Sequence, residues 1–416
     1  MSENQHSQVD RRKFLQAGAL AAASTAALGT PAARGQDAPP AGAKPVLPTR
    51  KLGKTGVDVT MLNVGTGAWK NNTAATALRL LRLAEVSGIR YIDTADAYNT
   101  EPFVARYFQD SPAIRKDTFV VTKQDKLKTG QQMVTSLDDR LKTLQLDSVD
   151  LFFIHGLGDH HTADECLEII RGKEFRAAAE QMKKSGKTKF VGFSCHNARK
   201  AEFIEAAAEA GWVDAIMVSY TPWAGKDHPI HKALDAAHEK GIGLISMKQL
   251  AGPAKPKFLA DVVNHVPSLK DSGLTPYQML LQAIWSDERI ASCCVSMTTS
   301  EMMLENVAAA RNYKPLTVTQ LDEIRDLFLA LSPTLCANCD GRCATAAGTD
   351  APLGDLARFY TYHQQHGLKA DARRQYRELP EGARDWKGAD LAAAQAACPS
   401  HLDFAAILPA ADRYLA

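Results

Sequence analysis

Val149-Asp-Leu-Phe-Phe-Ile-His155 is an apolar run that ends on an imidazole. Two earlier runs close in the same way. Ile89-Arg-Tyr-Ile-Asp93 ends on a carboxylate, with Tyr98 on the loop beyond it, and Thr118-Phe-Val-Val-Thr-Lys123 ends on an ammonium. Side chains at the carboxyl ends of successive parallel strands can converge on one mouth of a barrel. A phenol, an ammonium, a carboxylate and an imidazole meeting there make a proton-delivery device. The cation favours phenolate and so is expected to lower the Tyr98 pKa, while Asp93 keeps Lys123 charged and aimed. The chemistry this predicts is reduction of a carbonyl, or its reverse.

Around these three runs, short apolar stretches alternate with amphipathic helical patterns from Leu52 to about Leu331, the signature of repeated βα units. A hairpin comes first, over Arg50–Val59, with Gly56 at its turn. Strands are expected at Met61–Val64, Arg90–Asp93, Thr118–Thr122, Val149–Ile154, Phe190–Phe193, Ala215–Val218, Gly243–Ser246 and Ser292–Val295. Helical patterns lie at Ala74–Val86, Gln131–Leu144, Glu174–Lys184, Lys200–Ala210, His231–Lys240, Pro276–Ile284 and Ser300–Ala309. Eight strands with intervening helices predict an α/β chain folded as a (β/α)8 TIM barrel, because every strand face is then covered. A doubly wound open sheet is the alternative, but no Gly-x-Gly-x-x-Gly follows a strand and opens a helix. Leu157–Gly172, with His160, His161, Asp164 and Glu165, reads as a solvated loop at the mouth, since its acids and imidazoles lack a ligand spacing.

A barrel of this kind takes roughly 250 residues, so the 416-residue chain carries appendages at both ends. A formal charge of +2 gives no reason to expect nucleic acid as a partner. No apolar run in the body approaches the roughly 20 residues of a spanning helix, so stable membrane insertion is not expected. Arg11-Arg12-Lys13-Phe14-Leu15 precedes the small apolar stretch Ala17–Leu28 and the Ala/Pro/Gly-rich Thr30–Pro48. Paired arginines in that setting resemble a bacterial twin-arginine signal, which implies folded export to the periplasm by the twin-arginine machinery. The resulting organisation is a signal over 1–35, a flexible linker over 36–49, the barrel over 50–331 and a C-terminal domain over 332–416.

The motifs Arg50-Lys-Leu-Gly-Lys-Thr-Gly-Val57, Tyr91-Ile-Asp-Thr-Ala-Asp-Ala-Tyr98, Val121-Thr-Lys123, Val149–His155, Gly192-Phe-Ser194 and Glu305-Asn306 resemble the aldo-keto reductases in order and spacing. That resemblance implies reversible hydride transfer between a nicotinamide cofactor, NAD(P)H, and a small-molecule carbonyl or alcohol. It casts Tyr98 as the general acid, Lys123 and Asp93 as its supporting pair, and His155 as a hydrogen-bond donor to the carbonyl oxygen. It also places Thr66, Gly67, Ser194, Cys195, Met217, Met247, Lys248, Leu250, Glu305 and Asn306 along the cofactor. Several of these depart from the family pattern: Cys195 stands for Asn, Met217 for Gln, and the stacking aromatic is replaced within Met247-Lys-Gln-Leu-Ala-Gly252. Ser296 and Met302 stand where many relatives aim Lys and Arg at the 2′-phosphate, so NADH is expected to compete well.

Eight cysteines divide the chain. Cys166, Cys195, Cys293 and Cys294 fall in the barrel, and the last two sit in an apolar run as core residues. Cys336-Ala-Asn-Cys339-Asp-Gly-Arg-Cys343 is a tight triplet, and Cys398-Pro399 lies far downstream. Three readings stay open for these four: one [4Fe–4S] cluster, two disulfides, or zinc. A subgroup of the resembled family carries a ferredoxin-like module here, and this chain keeps the ligands for a single cluster. Two other classes of function also remain at this stage: a barrel that binds a small ligand without a dinucleotide, and an iron–sulfur electron-transfer protein whose redox partner the sequence does not name.

Overall fold

Alternation along each barrel strand decides what faces the lumen. Tyr91, Phe119, Val121, Leu151 and Phe153 fill the barrel interior, whereas Ile92, Val120, Phe152 and Ile154 face the surrounding helices. Continuing that period by one step carries Asp93, Lys123 and His155 to the inner face at the end of their strands. The polar quartet is thus the top of an otherwise apolar column.

The computed structural model describes residues 46–197, 199–221, 224, 228–249, 265–331, 334–336, 341–365, 367–379 and 382–416. The expected signal and most of the expected linker lie outside these residues. A hairpin of β1 (Thr49–Lys51) and β2 (Asp58–Thr60) precedes the barrel. The barrel strands are β3 (Leu62–Gly65), β4 (Tyr91–Asp93), β5 (Phe119–Gln124), β6 (Val149–Ile154), β7 (Thr188–Cys195), β8 (Ala215–Ser219), β9 (Gly243–Met247) and β10 (Ile290–Val295). All neighbours pair in parallel, and β10 closes the ring onto β3 through Cys293 opposite Leu62 and Val295 opposite Val64. Each expected strand is present, with ends displaced by about two residues or fewer.

The hairpin seals the end of the barrel away from the quartet. Arg50 donates to the carbonyls of Trp285, Asp287 and Ile290 at 2.6, 3.1 and 2.8 Å, and its guanidinium lies over the Tyr313 ring. Leu52 and Val59 are buried against the lumen residues.

Three helices depart from the sequence expectation, one of them Val318–Leu331, which the pattern left unassigned. Glu101–Asp110 forms a helix that the pattern did not announce, because Pro102 reads as a break, although proline is tolerated in a first turn. The supposed solvated loop contains the helix Ala163–Arg171, which buries Cys166, Ile169 and Ile170. Its start is fixed by a reciprocal cap: Thr162 Oγ1 accepts from the Glu165 N–H, and Glu165 accepts from the Thr162 N–H at 2.7 Å. Thr162→Ala is expected to lower unfolding free energy by about 1 kcal/mol in a denaturant titration; an unchanged midpoint would show that the helix is held by packing alone.

Beyond the barrel, the helices Leu353–Gln364, Lys369–Arg377, Leu391–Ala397 and Phe404–Leu415 enclose a second apolar core. Among the described residues, no helix is long and apolar enough to cross a membrane.

Candidate active site

Strand register sets three of the four polar groups side by side, since Asp93 pairs with Val121 and Lys123 with Phe153 in neighbouring strands. The His155 N–H continues the ladder to the Gln124 carbonyl at 2.8 Å. Tyr98 arrives from a single helical turn, Asp96–Tyr98, closed by Asn99 in the left-handed region, which asparagine tolerates. Lys123 Nζ donates to Asp93 Oδ1 at 2.5 Å and to the Thr94 carbonyl at 2.9 Å, and it lies 5.0 Å from the Tyr98 ring centre. Tyr98 Oη sits 3.2 Å from His155 Nε2, with the two rings perpendicular.

Lys123 and Asp93 are each only 1% exposed. Burial opposes the Lys123 charge, but Asp93 more than offsets it and holds the ammonium above its usual range. The Asp93 carboxyl is raised by burial, against the pull of Lys123. His155 is pushed down to about 3 by burial and by Lys123, so its ring is neutral at ordinary pH. The sequence expectation for Tyr98 needs correction. Lys123 does pull the phenol down, by charge and hydrogen bond, but burial wins and lifts it to about 12.

Cys293 and Cys294 also divide. Cys293 packs among the outer helices, whereas Cys294 turns toward the lumen on the side of Asp93. Alternation alone puts these neighbours on opposite faces, and a register shift between Ile290 and Ser292 sets which of them points inward. Sequence reading missed that placement because the two cysteines look equivalent in an apolar run.

The residues expected along the cofactor fall in three places. Thr66, Gly67 and Ser194 surround the quartet. Thr66 Oγ1 bonds Thr100 Oγ1 at 2.7 Å, and a Cβ on Gly67 would meet the Tyr98 ring at 3.3 Å, so glycine lets the backbone approach the phenol. Ser194 Oγ accepts from the Gly156 N–H at 3.0 Å, leaving its own proton as a donor. Cys195, Met217 and Met247 are packed into apolar cores: Cys195 is buried on the outer face and its thiol is pushed up to about 12 by burial, while Met217 and Met247 join the lumen core. Lys248 stands exposed at the rim in the left-handed region at φ 52°. Leu250 lies outside the described residues. On the helix Ser300–Arg311, Asn306 is buried and Glu305 accepts from Thr275 Oγ1 at 2.5 Å. The donor set suits a dinucleotide: a hydroxyl donor beside the phenol and a cation at the rim.

Of the C-terminal thiols, Cys336, Cys343 and Cys398 share the second core, and a Cβ on Gly354 would stand 3.0 Å from Cys336 Sγ. Cys339 lies outside the described residues. Among the described residues, no three His, Cys, Asp or Glu side chains are gathered as a metal ion needs.

The comparisons agree with this geometry. The model of the Aldo/keto reductase family matches residues 62–327. L-galactose dehydrogenase of Arabidopsis thaliana is 26% identical over 65% of this chain and 90% of its own length. L-glyceraldehyde 3-phosphate reductase of Escherichia coli K12 is 24% identical over 66% and 91%. A solved aldo-keto reductase from Bacillus halodurans superposes with a TM-score of 0.51 at 20% identity, covering 68% of this chain and 96% of that one, a likeness of fold.

Proposed function

From the premise that this chain belongs to the aldo/keto reductase family, whose chemistry is NAD(P)H-dependent carbonyl reduction, we propose that it reduces a small aldehyde, ketone or sugar carbonyl with Tyr98 as general acid. One observation carries the reading: a protonated phenol 3.2 Å from a neutral imidazole, with a buried ammonium beside it. The dinucleotide supplies the hydride when bound. The chain's own residues do the rest. Tyr98 Oη and His155 Nε2 offer two polar contacts to one carbonyl oxygen, and Tyr98 gives it a proton. Lys123 stabilises the phenolate left behind, and Asp93 keeps Lys123 in place. Ser194 is positioned to hold the carboxamide of the nicotinamide.

The test is loss of reduced-cofactor absorbance on adding short aldehydes and sugars to the purified chain, with NADH and NADPH compared. Because Tyr98 acts in its protonated form, the reduction rate is expected to stay level from about pH 5 to 9 as far as this group is concerned, and to fall only as pH rises toward the phenol's own range. The reverse reaction uses phenolate and should climb over the same interval. Absence of turnover with every carbonyl would leave a ligand-binding barrel in its place.

The spacing of Cys336, Cys339, Cys343 and Cys398 carries a second part of the proposal: these four hold one [4Fe–4S] cluster that ties the C-terminal helices together, and its binding requires the three described thiols to draw closer than they stand in this structure. Metal and sulfide analysis of anaerobically purified protein is expected to give four irons per chain. Iron-free protein, with zinc or with Cys339 in a disulfide, would overturn it. We also hold to folded export by the twin-arginine route, supported by Arg11 and Arg12. Replacing both by Lys should retain the protein in the cytoplasmic fraction, and unchanged fractionation would refute the assignment.

A further inference from the structure

The C-terminal helices reach one side of the barrel mouth. Between them lies a cleft of about 520 Å³, part of it open to solvent. The barrel contributes His196, His228 and Lys248 from loops and Lys200 from the start of the helix Lys200–Ala210, and the C-terminal part contributes Cys336 and, from the helix Leu353–Gln364, Arg358 and Tyr362. Among the described lining residues there are three basic side chains, two imidazoles and the Cys336 thiol, and no carboxylate. Two acids stand behind this surface: Asp159 holds His196 at 3.0 Å, and Asp355 pairs with Arg358 on its own helix. Ser219, Tyr220 and Thr221 add hydroxyls to the same lining. A narrow cleft with one sign of charge and low-dielectric walls concentrates its field on whatever enters. Guanidinium and ammonium groups with hydroxyls nearby suit the oxygens of a phosphate, and a guanidinium can grip two of them at once.

We propose that this cleft is a phosphate-type anion site in which Arg358, from outside the matched family region, acts together with Lys248 of the barrel. The C-terminal helices then do more than cover the barrel; they complete a binding site that the barrel alone leaves open. The anion comes from one of the reaction's own ligands, either the diphosphate of the dinucleotide or a phosphate on the substrate. That attribution rests on the carbonyl-reduction reading, whereas the site itself does not.

The experiment is calorimetric titration of inorganic pyrophosphate into the full chain at fixed low ionic strength, without cofactor. The wild-type chain is expected to bind, and Arg358→Gln and Lys248→Gln each to weaken binding at least about tenfold, the loss of one good charge-assisted contact. Arg358→Lys should recover part of the loss, which a general disturbance of the helix would not. Lys248→Gln lies on the other side of the cleft and guards against misfolding of the appendage as the cause. Competition then identifies the source: displacement of pyrophosphate by NADH points to the dinucleotide, and displacement by glycolaldehyde phosphate but not glycolaldehyde points to the substrate. Pyrophosphate that fails to bind, or binds both Gln variants as tightly as wild type, overturns the site. Displacement by neither ligand overturns its assignment to the reaction. Binding without any carbonyl turnover would instead remove the reductase reading and leave the site standing.

Discussion

Tyr98→Phe is expected to lower kcat for carbonyl reduction by about a thousandfold, within the range general acids contribute, while dinucleotide affinity moves by less than about twofold. The size follows from what else could supply the proton. His155 is the group in contact with the phenol, but burial and Lys123 push it down to about 3, so it carries no spare proton at neutral pH. Lys123 is held protonated by Asp93 and is committed to Asp93 and the Thr94 carbonyl. Tyr98, lifted to about 12, is the acid that is both protonated and placed at the mouth. Phenylalanine keeps the ring that Gly67 packs against, so the fold should survive. Stopped-flow and steady-state rates on the same preparation decide the matter. A variant that keeps a tenth of the wild-type kcat would show that the proton comes from elsewhere.

Lys123→Met should produce the largest loss of stability, about 3–5 kcal/mol at pH 7, the range for breaking a buried ion pair from one side. It leaves Asp93 enclosed with no cation, next to the Cys294 thiol and under the Tyr98 ring. The pH dependence has a definite sign. A carboxyl whose folded pKa lies above its unfolded value stabilises the fold when neutral, and this contribution is lost as pH rises through the folded pKa. Asp93 is already raised in the native protein, and removing Lys123 raises it further. The deficit of the variant should therefore shrink as pH falls toward 4. Asp93→Asn on the same background should restore most of the stability, since both charges are then gone. Denaturant unfolding of the four members of this cycle at two pH values provides the measurement. A Lys123→Met chain as stable as wild type at pH 7 would mean that the pair contributes nothing.

The barrel and its quartet were legible because both follow from period-two alternation. Asp93, Lys123 and His155 share parity with Tyr91, Val121 and Phe153, so a reader who places those apolar residues inside has also placed the polar ones. The helix Glu101–Asp110 was not legible, since its proline is indistinguishable from a terminator without knowing where the first turn begins. Nor was the net direction of the Tyr98 shift. The neighbouring cation can be read from spacing, but how much water is excluded from the phenol depends on packing from several strands at once. Cys294 and Cys293 illustrate the same limit on a smaller scale: alternation puts them on opposite faces, but which one faces inward is set by a register shift upstream, between Ile290 and Ser292, that no local signal marks. Arg358 and Tyr362 had no readable connection to the mouth at all, because nothing in a helix sequence says which distant loop it will meet.

The Arg50 fork carries a consequence for how the molecule comes into being. Its acceptors are the backbone oxygens of Trp285, Asp287 and Ile290, more than two hundred positions later in synthesis. The cork at the floor is made first, yet it has nothing to grip until the last staves are finished. Ring closure must therefore wait for nearly the whole barrel, a slow, long-range event that leaves the early segment exposed meanwhile. Removal of the chain through Arg50 would draw the cork, open the floor to water and take the guanidinium from these carbonyls, leaving Trp285 to the Tyr313 hydroxyl and Asp287 to the Ile290 N–H.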